Sequence, residues 1–365
     1  MEAPSSIIAG LESWLCRQPE LGDRCHIVDV AVPKTGFSAD TFLIDLEGCA
    51  TGVMGKRALV VRIERPGRNT FLGTSIVKQA RMMQALSNHG ISVPAIVGWE
   101  ENASLIGGSF LVMDRISGVS LPMHPSYHVA GLLHELDPAT RREAWFGAIN
   151  TISQINKLPW REDFGFLHNS EYGAPGLDAY LGWLGAWRDM ACAGEKHPVV
   201  DAAMAYLHEH RPRSAEVELL WGDSNPGNFL FFRDGRIAAA VDFEASAVGP
   251  AEIDLSWWFF VDEMVSDGRP LLTGMPTRAE QIDAFEVALG RPVANLDYYA
   301  KLSGVRMSLV MARTVRNLIA DGLLAPDNSG WLVNPASGVL AGMMGLADPG
   351  PNDDYMRVVA VMNRR

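Results

Sequence analysis

The sequence is short of several things. Among 365 residues it has four cysteines, Cys16, Cys25, Cys49 and Cys192, with no C-x-x-C pair and no histidine nearby at ligand spacing. That pattern argues against a zinc site and against a disulfide scaffold, so separate, small, buried or half-buried thiols are expected. No apolar run reaches the roughly 20 residues needed to cross a bilayer. The N-terminal stretch MEAPSSIIAGLESWLCRQPE is acidic and lacks the basic start of a secretory signal. A cytoplasmic, reducing setting with no membrane partner is the expectation. Basic residues are outnumbered, 31 against 43 acidic, for a formal charge of −12. Such a surface repels phosphate backbones, so no nucleic-acid partner is expected. Repeats and low-complexity tracts are missing as well.

What is present fits a folded, two-part chain. Hydrophobic residues make up 48% and charged residues 20%, ample for a core and too few charges for disorder. The first third reads as strands, at His26 to Val32, Thr41 to Leu46, Ala58 to Ile63, Ala95 to Trp99 and Ser109 to Ile116, with β-branched residues between turn signals. A helix over about Ser75 to His89 interrupts them, stopped by Gly90 and Pro94, and Ser5 or Ser6 caps a further helix at the N-terminus. From Ser117 the periodicity turns helical, near 128–157, 177–193, 197–210, 252–264, 277–289 and 296–323. The expected fold class is α+β, with a small antiparallel-sheet lobe over 1–116 and a large, mainly helical lobe over 117–365.

One stretch breaks the helical pattern: WGDSNPGNFLFFRDGRIAAAVDFE, Trp221 to Glu244. Two apolar runs, Asn228 to Phe232 and Ile237 to Val241, flank an Asp-Gly turn and predict a β-hairpin. Asp223 precedes it, Asn228 opens its first strand and Asp242 ends its second, so the three can gather at one end. Asp-Ser-Asn-Pro-Gly-Asn is also ordinary turn chemistry. Context favours more than a turn, because D-x-x-x-x-N is the spacing of a kinase catalytic loop. Phosphoryl transfer needs an acceptor-orienting carboxylate and oxygen ligands for Mg²⁺. In that reading Asp223 aligns the acceptor hydroxyl, and Asn228 and Asp242 hold the metal.

On these residues the chain resembles the aminoglycoside phosphotransferase family, which shares a protein-kinase-like bilobal fold with choline kinases. LLWGDSNPGNFLF and AAAVDFEASAVGPAEIDLSWWF carry the likeness, with TGFSADTFLI and LVVRIERP as weaker pieces. Trp-Gly-Asp stands where the family usually has His-Gly-Asp, a bacterial variant in which Trp221 replaces a loop-supporting histidine by packing. The resemblance implies that Asp223 is the catalytic base and that Asn228 and Asp242 ligate Mg²⁺. Ser38, in a glycine-bearing turn, and Arg62, on its strand, then meet the phosphates of ATP, or of GTP. Backbone around Met113 to Arg115 meets the purine edge. Glu244 becomes structural and Asp254 a helix-capping or loop-tethering carboxylate. The family's helix glutamate, partner of the phosphate-pairing basic residue, is replaced by Gln79.

The acceptor side is less determined. Trp257 to Phe260 sit around more than half a helix and are expected in the core. Arg306 and Arg313, seven residues apart with Arg316 close by, read as a solvated face, or as anion-binding if they line a cleft. The partners expected are a nucleotide and a small-molecule hydroxyl acceptor. An unidentified metabolite ranks ahead of a hydroxyacyl-CoA, and that ahead of an aminoglycoside. A nucleotide-binding module without turnover, suggested by Gln79 and Trp221, is the alternative of another class. A metal-dependent hydrolase ranks last, since the ligand-rich set of two-metal sites is missing.

Overall fold

The computed structural model describes residues 5–21, 25–32, 39–50, 53–64, 67–213, 215–350 and 352–362. The chain forms two compact units. The first comprises Met1–Asn69, Gly73–Ser117 and Ala238–Glu244; the second comprises Thr70–Leu72, Gly118–Ile237 and Ala245–Arg365.

Alternation in its two longest strands builds the core of the first unit. After helix α1 (Ser5–Leu15) come strands β1 (His26–Ala31), β2 (Ala39–Ala50) and β3 (Val53–Glu64). Helix α2 (Ile76–Asn88), capped by Ser75, and strands β4 (Ile96–Glu100) and β5 (Phe110–Asp114) follow. They form an antiparallel sheet in the order β1-β2-β3-β5-β4. Phe42, Ile44 and Leu46 of β2 and Leu59, Val61 and Ile63 of β3 are buried together with Leu11, Trp14 and Leu15 of α1. Successive strand residues point to opposite faces, so Arg62, between Val61 and Ile63, leaves on the face away from that core. Its register partner is Thr41. Helix α2 packs against β3, β4 and β5 and buries Gln79 along with Met82, Met83 and Leu86.

One expectation fails here. Cys16 and Cys25 are joined by a disulfide, with Cα atoms 5.3 Å apart, tying the end of α1 to the start of β1. A nine-residue separation carries no recognisable motif. Tertiary packing of Leu15, Cys25 and Ile27 into one cluster brings the two residues together. Cys192 is free and buried.

The second unit is helical. It contains β6 (Val119–Ser120), α3 (Leu132–Glu135), α4 (Pro138–Asn156), α5 (Trp160–Asp163), α6 (Leu177–Ala191), α7 (Pro198–Glu209), β7 (Glu218–Leu220) and β8 (Phe229–Phe231). After β9 (Ile237–Ala240), whose residues from Ala238 on lie in the first unit, the second unit resumes with β10 (Ala247–Gly249), α8 (Glu252–Ser266), α9 (Arg278–Leu289), α10 (Leu296–Ala320), α11 (Pro335–Met343) and α12 (Asp353–Met362). The hairpin turn appears where Asp-Gly predicted it, with Phe232 N–H donating to Arg236 O (2.8 Å). From Ala238 to Glu244 the chain belongs to the first unit, where Ala240 N–H donates to Ser92 O (2.8 Å). A single linear cut cannot express that return. Helix α10 is the axis of the second unit and packs against α6, α7, α8 and α11. Its Leu302, Val305, Leu309, Ala312 and Val315 lie in one large buried cluster. The helix therefore turns a full apolar stripe inward rather than standing on the surface. No described helix is long and apolar enough to cross a membrane.

Candidate active site

Residues 221–225 form a loop that runs into a 3-10 turn at Pro226–Asn228, and many polar groups in the stretch have fixed partners. Gly222 holds a left-handed conformation (φ +85°), and a Cβ there would lie 1.9 Å from Ala245 O. Only glycine fits such a position. The carboxylate of Asp254, in the first turn of α8, accepts from Trp221 N–H (2.8 Å), Gly222 N–H (2.9 Å) and Asn156 Nδ2 (2.8 Å). Ser224 Oγ donates to Asp254 O (2.9 Å). Asp254 is fully buried, and burial raises its pKa against the opposing pull of Asn156, the two backbone N–H groups and Arg306. The loop-tethering role expected for Asp254 is thus observed. Arg291 pairs with Glu218 of β7 and Glu252 of α8 at 2.6 and 2.7 Å, fixing the start of that helix to the neighbouring strand.

On this frame sits Asp223. Its Oδ1 accepts from Trp257 Nε1 (2.7 Å) and Asn225 Nδ2 (3.0 Å), and its Oδ2 from Asn228 Nδ2 (2.7 Å). Asn225 Oδ1 accepts from Gly227 N–H (3.0 Å), an Asx turn that folds Asn228 back toward Asp223. The five-residue spacing read from the sequence therefore brings Asp223 and Asn228 together. With its amide nitrogen on Asp223, Asn228 has its carboxamide oxygen as the group able to meet a cation. Trp221 is fully buried, edge-on to Phe229 with centroids 4.9 Å apart, as expected of a packing residue. Trp257, Trp258, Phe259 and Phe260 are likewise buried. Sequence reasoning places Trp257 in the core but misses its hydrogen bond to Asp223. A buried indole N–H needs an acceptor, and that requirement is the available signal.

The first unit holds the other site candidates. Asp242 has a left-handed backbone (φ +63°), uncommon outside glycine. Its Oδ1 lies 3.1 Å from Arg62 Nη1, and Glu244 Oε2 lies 3.5 Å from Arg62 Nη2. Arg62 thus has carboxylate partners from the 242–244 segment, whereas α2 offers the uncharged Gln79 at the family's glutamate position. The N–H groups of Asp114 and Arg115 donate to Ala95 O and Ala58 O (2.9 Å each). The Arg115 side chain pairs with Asp45. Ser38 lies outside the described residues.

The arginines of α10 do not form the surface face the spacing suggested. Arg306 is fully buried; its Nη2 donates to Gly222 O, and its Cζ lies 4.2 Å from the Trp257 ring centroid. Arg316 pairs with Glu195 (2.6 Å) and lies over Trp331 (4.0 Å). Arg313 is half-buried. The sequence did carry a signal for Arg306, which falls on the same stripe as Leu302, Val305 and Leu309.

Residues 29–302 match the phosphotransferase enzyme family, APH. The chain belongs to that family. It is 26% identical over 299 residues to rat acyl-CoA dehydrogenase family member 11, a match covering 76% of this chain and 35% of the relative. Mouse acyl-CoA dehydrogenase family member 10 is 25% identical over 273 residues, covering 71% of this chain and 24% of the relative. The chain thus spans between about a quarter and about a third of these curated relatives. Among solved structures, one from Ralstonia eutropha JMP134, assigned as an aminoglycoside phosphotransferase, is similar with TM-score 0.65, 21% identity and 98% coverage of both chains. A thermostable mutant of the aminoglycoside phosphotransferase APH(4)-Ia, in ternary complex with AMP-PNP and hygromycin B, has TM-score 0.52 and 16% identity. It covers 92% of this chain and 98% of that one. The α+β kinase-like fold is that of these relatives.

Proposed function

We propose that the protein is a nucleotide- and Mg²⁺-dependent kinase that phosphorylates a hydroxyl of a small metabolite, with Asp223 as the acceptor-aligning base. The observation carrying this reading is the Asp223 carboxylate clamped by Asn228, Asn225 and Trp257 at the family's D-x-x-x-x-N spacing. Asp223 accepts, or aligns, the hydroxyl proton as the oxygen attacks the terminal phosphorus of the nucleotide. Asn228 and Asp242 are the magnesium ligands in this proposal. One carboxylate and one carboxamide oxygen, completed by phosphate oxygens and water, make a hard-oxygen set suited to Mg²⁺. When bound, that ion neutralises charge developing on the transferred phosphoryl group. Arg62 pairs with the nucleotide phosphates, for which it is exchanged from its carboxylate partners. ATP is the first candidate donor and GTP the second; the ternary complex of the structural relative with AMP-PNP supports a nucleoside triphosphate.

For the acceptor, one observation favours a hydroxyacyl-CoA over an aminoglycoside: the curated relatives are named for acyl-CoA chemistry. The burial of Arg306 withdraws it as a contact for an anionic acceptor, so that reading rests on the relatives rather than on the arginines. The test is acceptor-dependent ADP or GDP release over a panel of metabolite alcohols, hydroxyacyl-CoAs and aminoglycosides, with the phosphorylated product identified by mass. Release that tracks one acceptor class identifies it. Tight nucleotide binding by calorimetry with no turnover on any acceptor would instead favour a non-catalytic nucleotide-binding module.

A further inference from the structure

Arginine is among the residues least often fully buried, yet Arg306 is 0% exposed in the middle of α10. Its Nε and Nη1 are buried without a hydrogen-bond partner. Donors left in that state oppose folding, and an apolar side chain of similar volume would fill the space without the desolvation cost. Its own hydrogen bonding therefore gives little reason for an arginine here, although its charge offsets part of the burial of Asp254. What the guanidinium does, and an apolar chain cannot, is donate to one group while holding its charge over an aromatic ring. Nη2 donates to Gly222 O, and the charge sits 4.2 Å from the Trp257 ring centroid. Both contacts lead to the same atoms. Gly222 is the residue before Asp223, wedged against Ala245, and Trp257 Nε1 donates to Asp223 Oδ1 at 2.7 Å. Asp254, whose carboxylate holds the N–H side of Gly222, sits one turn before Trp257 on α8. Gly222 is thus fixed at its N–H by a buried anion and at its carbonyl by a buried cation.

We propose that Arg306 is a positioning residue for phosphoryl transfer: through the Gly222 carbonyl and the Trp257 indole it sets the direction of the Asp223 carboxylate. The proposal rests on the phosphotransferase reading above and adds to it a residue from a distant helix that touches neither substrate nor metal.

The experiment pairs turnover with the ¹H–¹⁵N resonance of the Trp257 indole, assigned by Trp257→Phe, in the full-length protein. Arg306→Met is expected to lower kcat about 100-fold, since a misplacement of about 1 Å in a catalytic group costs that much, while the nucleotide KM stays within about twofold. Arg306→Lys, which keeps the charge but loses the planar fork, is expected to fall between wild type and Arg306→Met. The indole resonance should move in both variants and in Asp223→Asn. If Arg306→Met does not fold, Arg306→Lys is read alone on both measurements. A folded variant with wild-type kcat, or an indole resonance unmoved by Arg306→Lys, overturns the proposal. Failure of the kinase reading looks different. Wild-type protein then shows no Asp223-dependent transfer to any acceptor, and the role in transfer falls with it, even where the resonance still reports the Arg306 contact.

Discussion

Two carboxylates with neighbouring roles in the proposed chemistry are held in opposite ways. In the second unit Asp223 accepts described hydrogen bonds from uncharged groups, two side-chain amides and an indole. The backbone beneath it is fixed by shape, with Gly222 packed where no Cβ fits. In the first unit Asp242 stands on a left-handed backbone and pairs with a cation, Arg62, which it shares with Glu244. Neutral donors orient a carboxylate without cancelling its charge, which suits a group meant to draw a proton. A cation shared between carboxylates can be exchanged for phosphate oxygens, which suits a group meant to receive a nucleotide. The same side-chain chemistry serves as a rigid reference in one unit and as an exchangeable ligand set in the other.

The largest effect should come from breaking the shape side of that contrast. Gly222→Ala forces a Cβ into the Ala245 carbonyl and a non-glycine residue into φ +85°, with an expected loss on the order of 4 kcal/mol. The denaturation midpoint reads it, and a midpoint within experimental error of wild type would show that the loop is not shape-locked.

A second test concerns a buried group of the second unit that stays neutral. Burial pushes His197 down to about 4 from 6.5, and its ring accepts from Val200 N–H (3.4 Å) at the start of α7. Between those values the unfolded chain binds a proton that the folded protein does not. Stability is therefore complete above pH 6.5 and falls as the pH drops toward 4, by about 3 kcal/mol. His197→Asn keeps an acceptor at the helix start and should remove that part of the pH dependence. Parallel stability–pH curves for the two proteins across that window would refute it.

The charge side predicts a smaller effect. Arg62→Ala should raise the nucleotide Kd at least about tenfold, as expected for loss of a charge-assisted phosphate contact. Glu244→Gln removes a carboxylate that competes with phosphate for Arg62 and should lower the nucleotide Kd about threefold. Calorimetry at low and at high salt separates the two regions further. The Arg62 contribution should shrink with salt.

Much of this is legible in the sequence where the signal is local. The hairpin, the α2 cap at Ser75 and the Asp223–Asn228 pairing each lie within a few residues, and turn chemistry together with period-2 alternation specifies them. Asp254 is legible as a tether because carboxylates in a first helical turn satisfy backbone N–H groups. What escapes depends on distant chain. Arg306 reaches Gly222 from α10, and seven-residue spacing of arginines says nothing about which face α10 turns inward. The apolar residues around Arg306 hold that information. Trp257 belongs in the core on its pattern alone, but its N–H partner depends on how the loop returns over α8. The Cys16–Cys25 pair follows from how α1 lies on the sheet, which no spacing rule encodes. The return of 238–244 to the first unit is likewise a property of the folded chain.

The most direct measurement is single-turnover phosphate transfer from radiolabelled nucleotide to the best acceptor of the panel, wild type against Asp223→Asn, with folding verified for both. The account predicts a fall of about a thousandfold in the transfer rate at unchanged nucleotide affinity, the size expected for loss of a positioned acid–base group. Transfer at the wild-type rate in the Asp223→Asn protein would contradict it.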